Sequence, residues 1–193
     1  EHASGTTRSG LAVVGTHAAY DGDATALAIA TADGEGAYID TAAMTSDDEA
    51  ALGAWLADEH KPKALHEAKA AMHDLAGRGW RLAGVTSDTA LAAYLVRPGQ
   101  RSFTLDDLSV RYLKRELRAE SPEQQQLSLL DDTEGVDEQG VQTLILRARA
   151  VTDLAGALDV ELTAMDSSAL LHEMELPVQV VLAELETRGI AVD

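Results

Sequence analysis

The order of the short apolar segments constrains this chain most. Leu11-Ala-Val-Val14 reads as a buried strand, Ala24 to Thr31 alternates in part as a second, and Gly36-Ala-Tyr-Ile39 makes a third. Asp33-Gly34 separates the last two and is a hairpin signal, because a tight hairpin needs positive φ at its centre, so these strands are predicted antiparallel. Beyond Ile39 the pattern changes. Ser46-Asp-Asp-Glu49 is a capping box, and the helix it starts carries Leu52, Trp55 and Leu56 inward. Lys63-Ala-Leu65 reads as a short strand, Glu67 to Gly77 as a helix with glycine at its end, and Gly84-Val-Thr86 as a return to the sheet. Asp88 to Val96 is then helical, with Leu91, Tyr94 and Leu95 as its core edge, and Thr104-Leu-Asp-Asp107 opens one more helix through Leu108 and Tyr112. Three strands in a meander followed by alternating helices and strands predict an α/β fold, a mixed sheet flanked by helices.

At 193 residues and 46% hydrophobic content the chain suffices for one main core, burying roughly 70% of its unfolded surface. Aromatic residues are only 4%, so Ala, Leu and Val supply the packing. A long helix follows Gly140, in which Val141, Leu144, Ile145, Ala148, Val151, Ala155 and Leu158 share a face. Residues 118–140 are polar and acidic, with Ser121-Pro-Glu-Gln read as a short helix, and this stretch is expected to be partly mobile. The net charge of −18 repels a phosphate backbone unless the basic residues are gathered. They fall instead into four small groups: Lys61 and Lys63; Arg78 and Arg81; Arg111, Lys114, Arg115 and Arg118; Arg147 and Arg149. These read as surface charge balancing nearby acids. With no cysteine there is neither a disulfide framework nor a thiolate metal site. No apolar run approaches the ~20 residues of a membrane span, and EHASGTTRSG has no signal-peptide core. The expectation is a soluble cytoplasmic protein, and the absence of a starting Met agrees with a fragment.

The last twenty-two residues, His172 to Asp193, describe an amphipathic helix. Pro177 suits its first turn, Val178, Val181, Leu182 and Leu185 fall on one face, and Gly189 is a stop with Ile190 as its apolar contact. Glu175, Pro177, Leu182, Leu185, Glu186, Gly189, Ile190, Val192 and Asp193 resemble the junction between the exonuclease-like and polymerase domains of bacterial DNA polymerase I, a family A polymerase. Ser87-Asp-Thr-Ala-Leu-Ala-Ala-Tyr-Leu95 resembles the family's F-D-T-x-L-x2-Y-L segment, with Ser87 in place of Phe, and Thr104-Leu-Asp-Asp-Leu108 resembles the element after it. The resemblance implies a ribonuclease-H-like 3′-5′ exonuclease fold over residues 1–165, then a connecting helix over 166–193 that starts the polymerase domain.

A working exonuclease of this fold hydrolyses a phosphodiester with two divalent metals about 4 Å apart, which need several converging carboxylates. The family supplies an Asp-x-Glu on the first strand, an Asp in its second motif, and an Asp in a Tyr-x3-Asp motif on the late helix. Here Val14 and Thr16 stand at the first pair, Ala71 replaces the second acid while Lys69 is kept, and Ile145 with Arg149 fall at the last pair. The resemblance thus implies vestigial positions Val14, Thr16, Ala71 and Arg149, no catalytic or metal-binding residue, and a pocket collapsed into core or a shallow dent. No cofactor is expected in this domain, Mg²⁺ belonging to the parent polymerase. The expected partners are the polymerase domain of the same chain and, through the parent enzyme, DNA; no membrane is expected.

Competing chemistry reads more weakly. Asp21, Asp23, Asp88, Asp106, Asp107 and Asp153 could rebuild a metal site, but such residues serve turns and caps on their own account. His66-Glu67 with His73 misses the H-E-x-x-H spacing, and His17 is a single loop histidine beside the lost motif. Trp55 reads as core with nothing basic beside it, while Trp80 lies between Arg78 and Arg81, where it could stack a base. The first reading is a non-catalytic, degenerate exonuclease domain of a DNA polymerase I acting as a structural platform. The alternatives are an active metal-dependent nuclease with substitute carboxylates, and a protein-interaction module using the acidic 118–140 segment or the vacated cleft.

Overall fold

A computed structural model describes residues 8–117 and 138–189. Most of the acidic 118–140 segment, the Ser121-Pro-Glu-Gln helix, the start of the N-terminal arm and the Ile190 contact lie outside the described residues. The strands are β1 (Ser9–Gly15), β2 (Ala24–Ala30), β3 (Gly36–Asp40), β4 (Lys63–Leu65) and β5 (Val85–Asp88). They form one sheet in the order β3-β2-β1-β4-β5. The first three pair antiparallel, with Leu27 opposite Ile39 and Val13, while β4 joins β1 and β5 joins β4 in parallel. The predicted mixed sheet is therefore present, the meander supplying its antiparallel half and the βα units its parallel half.

The helices are α1 (Ser46–Ala57), α2 (Ala68–Gly77), α3 (Thr89–Val96), α4 (Leu105–Leu108), α5 (Glu138–Ala164), α6 (Ser168–Leu170) and α7 (Leu176–Arg188). The α1 capping box sits one residue earlier than the sequence suggested. Thr45 is still extended, its Oγ1 accepts from Asp48 N at 3.3 Å, and Asp48 Oδ2 accepts from Thr45 N at 3.1 Å. Ser46 is already helical, and a third-position Asp closes the box as Glu would.

The two faces of the sheet are filled by different residues. Leu11, Leu27, Leu65 and Leu75 bury against Leu52 and Leu56 of α1 and Trp80. On the opposite face β2 presents Ala26, Ala28 and Ala30 to Leu144 and Ala148 of α5. Small residues there let the long helix lie almost on the backbone: a Cβ on Gly10 would overlap the Ala148 carbonyl and the Thr152 hydroxyl. Farther along, α5 buries Val151, Leu154, Ala155, Leu158 and Leu162 against α3, α4 and Leu171. For the same reason α3 buries Ala92 and Ala93 rather than Tyr94. The Tyr94 ring, expected at the core edge, is instead exposed and packs on Phe103 with centroids 5.7 Å apart.

Lys63 at the start of β4 is fully buried. Its Nζ donates to the carbonyls of Asp58, Lys61 and Ala83 at 3.0, 2.8 and 3.0 Å, and stands 4.7 Å from the Trp55 ring centroid. Trp55 thus has a basic partner that its sequence neighbours did not reveal, since the seven intervening residues, 56–62, fold back.

Leu158→Ala is expected to cost about 2–5 kcal/mol in urea unfolding and Gly10→Ala roughly 1–3 kcal/mol, while Val160→Ala, at an exposed position of the same helix, stays within about 0.5 kcal/mol.

Candidate functional site

The sheet, α2 and α5 enclose a cleft of about 910 Å³ whose walls include Val13 and Val14 from β1, Ala70 and Ala71 from α2, and Leu144 from α5. The expected collapse has not happened. Val14 stays 44% exposed at the cleft, because the spacing of α2 and α5 is set by the Leu and Ala contacts beneath it. Polar groups at its rim are His17, Tyr38, Asp40, His66, Glu67, Thr143 and Arg147.

Of the four positions where the resemblance expects lost acids, Val14 and Ala71 line this cleft, whereas Thr16 and Arg149 lie outside it. Thr16 ties down the following loop, its Oγ1 donating to Asp21 O at 2.7 Å and accepting from Asp23 N at 3.1 Å. Arg149 and Ile145 lie instead against Gly36 at the β2–β3 hairpin. The α5 pair that reaches the cleft is Thr143 and Arg147, two residues earlier and again four apart. Two residues turn a helix by about 200°, so Arg147 and Arg149 project to opposite flanks. The guanidinium that reaches the cleft is thus that of Arg147, and Arg149, expected there, lies outside it. Arg147 makes one long ion pair, with Asp106 at 3.5 Å.

Two backbone features at the rim were not legible in the sequence. His17 and Glu67 both adopt left-handed conformations, with φ of 55° and 56°, at a cost of about 1–3 kcal/mol for each such non-glycine residue. Each is held through its N–H by a fully buried aspartate. His17 N donates to Asp74 Oδ1 at 2.6 Å, and Glu67 N donates to Asp88 Oδ1 at 3.2 Å. Asp74 Oδ2 also lies 2.5 Å from His17 Nδ1, a close contact without hydrogen-bond alignment. His66, beside Glu67 at the rim, has its Nδ1 2.8 Å from Thr89 Oγ1. Burial holds its pKa below the ordinary histidine value; the charges of Asp88 and Glu67 oppose this and Arg147 reinforces it.

The remaining candidate acids and histidines do not converge. Asp23 pairs with Arg78, Asp153 with Arg115, and Asp107 caps α4 with Thr104. Asp88 caps α3, and Asp40 accepts from Ala42 N. His73 faces α7, with Nε2 2.8 Å from Glu186 Oε2, and so does not join His66. Among the described residues no group of three or more His, Cys, Asp or Glu could hold a metal ion. Trp80 is buried, with Arg78 5.3 Å from its ring centroid.

A five-stranded mixed sheet with this cleft beside its first strand defines a ribonuclease-H-like exonuclease-type domain. The family description "DNA polymerase I, ribonuclease H-like domain" matches residues 16–121, and the chain belongs to that family. It is 74% identical over all 193 residues to DNA polymerase I of Mycobacterium tuberculosis, of which it spans 21%. It spans about a fifth of the length of the mycobacterial relatives it matches. A solved structure described as the POL domain of Pol1 from M. smegmatis in complex with DNA primer-template and dNTP superposes with a TM-score of 0.84 at 67% identity, covering 96% of this chain and 29% of that one. Brucella melitensis NrnC shares the fold, with a TM-score of 0.75 at 15% identity over 94% of this chain and 85% of its own. Among the described residues no helix is long and apolar enough to cross a membrane.

Because His66 has a lowered pKa in the fold, the unfolded chain takes up its proton first as pH falls. Stability is therefore full above about pH 6.5 and declines as pH drops from there towards the lowered value. Urea midpoints between pH 7.5 and 5 should show this slope, and His66→Asn should flatten it.

Proposed function

We propose that this chain is a non-catalytic, degenerate 3′-5′ exonuclease domain that serves as a structural platform within a DNA polymerase I. The observation that supports the reading is the lining of the cleft, which includes Val14 and Ala71, the positions where the resemblance expects carboxylates, together with Arg147. A divalent pair needs several oxygen ligands converging on one point, and a guanidinium there repels cations instead. The residues present do not fit the metal pair, and no hydrolytic step is routed through it. The parent chain carries the Mg²⁺-dependent polymerase chemistry in a part that does not overlap this segment, and acts in the cytoplasm on DNA. The basic residues of this unit support only weak DNA contact of its own, since Arg78, Arg81, Arg115 and Arg147 are each paired with an acid and Lys63 is buried.

Calorimetric titration with Mn²⁺ and 3′-end degradation of a labelled single strand test this reading, with no saturable binding and no degradation expected. Degradation that disappears with Asp40→Ala or Glu67→Ala would sink it and favour substitute carboxylates. Conversely, Val14→Asp, Ala71→Asp and Arg147→Asp combined should create Mn²⁺ binding of about millimolar affinity or tighter.

A further inference from the structure

Helix α7 stands on α2 and β5 through few side chains. Of its residues Leu176, Gln179 and Ala183 are buried, while Val178, Val181, Leu182 and Leu185 are 45–56% exposed. Polar bonds hold the inward side at two levels. Gln179 Nε2 donates to Asp88 Oδ2 at 2.6 Å. Glu186, two turns later, accepts from Lys69 Nζ at 2.6 Å and meets His73 Nε2 at 2.8 Å. With Ala183 as the buried residue between these levels, the seam lacks the interdigitating side chains that would fill it.

The seam holds a hollow of about 450 Å³, walled by Met72 of α2, Leu82 and Val85 at the entry to β5, and Leu176 and Val180 of α7. A second hollow of about 280 Å³ shares Met72, Leu82 and Val180 with it and carries on along α2 and α7. Neither has a lining residue in common with the cleft beside β1. The first alone falls within the roughly 300–1,000 Å³ typical of small-molecule sites.

Gln179 is the buried polar side chain of this lining, 8% exposed, and among the described residues its Oε1 has no hydrogen-bond partner. The amide cannot turn over to remedy this, because Nε2 faces the Asp88 carboxylate and a reversed amide would set oxygen against oxygen. Oε1 is therefore an acceptor of fixed orientation, and an unpaired acceptor in a buried place is costly. Thr86, also in the lining, donates its hydroxyl to Lys63 O at 3.3 Å, so its remaining capacity is again to accept. Glu59 and Arg81 pair with each other at 3.3 Å and bring no net charge, and His172 is exposed. Apolar walls and fixed acceptors select an uncharged ligand with an N–H donor on an apolar body. Met72 lines both hollows, and a thioether is a favourable neighbour for an aromatic ring. We propose that the α2–β5–α7 seam is a binding site for an uncharged aromatic heterocycle of nucleoside size carrying an exocyclic amino group, whose N–H is the partner of Gln179 Oε1.

The probe is adenosine, read by saturation-transfer NMR on the full-length chain, with purine riboside, which lacks the exocyclic amine, as its comparison. Adenosine should bind with a Kd of roughly millimolar or tighter. Purine riboside should bind about tenfold to a hundredfold more weakly, because it leaves Oε1 unpaired. Val180→Trp, at a 40% exposed position of the rim, should block both without touching the Gln179–Asp88 bond. Gln179→Met removes the acceptor and should make the two nucleosides bind alike. That change also takes a partner from Asp88, so its melting temperature should fall; Val180→Trp and the nucleoside comparison in the unaltered chain decide the matter if it does not fold. Absence of transfer to adenosine, equal binding of the two nucleosides to the unaltered chain, or a signal that Val180→Trp leaves unchanged each overturns the proposal. The first of these would leave water as the partner of Oε1.

Discussion

The carboxylate of Asp88 is the interaction on which most of this structure depends. It is fully buried and accepts five hydrogen bonds, from the backbone N–H groups of Glu67, Ala68, Ala90 and Leu91 and from Gln179 Nε2. One side chain at the end of β5 thereby satisfies orphan donors at the starts of both α2 and α3, and fastens α7 to them. A buried carboxylate survives only when its lone pairs are occupied, and the same bonds would leave several buried donors unpaired if it were lost. Parallel strands, two helix starts and the departing helix are therefore one cooperative arrangement. The family's F-D-T segment reads here as an architectural element.

That arrangement explains how the cleft stays open with Val14 and Ala71 in its lining. The walls of the cleft are placed by contacts lying beneath it: alanines of β2 under α5, leucines of β1 and β4 under α1 and α2, and the left-handed turn at Glu67 tied to Asp88. None of these needs a carboxylate at position 14 or 71. Side chains as small as Val14 and Ala71 leave the cleft open, because the close-packed framework beneath does not relax into the space. Asp74 does for His17 what Asp88 does for Glu67, so both edges of the opening are fixed by buried acids.

The strand positions, the hairpin at Asp33-Gly34 and the face of α5 were legible because each depends on local turn chemistry or on a sustained period. The misreadings also have local causes. Thr45 and Ser46 are both good caps, and only the backbone geometry decides between them. Tyr94 looked like a core residue because it is large, yet the approach of α5 leaves room only for Ala92 and Ala93. Arg149 was expected at the cleft and Arg147 is found there; both are cationic and flank the same apolar stripe. Nothing in the linear order could tell which flank meets the cleft and which meets the hairpin.

By itself the sequence determined the fold class, the family and the absence of acids at positions 14 and 71, since periodicity, turn residues and residue identity are properties of the chain read in order. The tertiary structure alone decided that the cleft stays open, that Arg147 is the residue entering it, that His17 and Asp74 meet across 57 positions, and that α7 turns its apolar face outward. Each of these depends on which surfaces are brought together by long-range packing. A helical wheel shows that a stripe exists, and only the neighbours of that helix determine which way it faces.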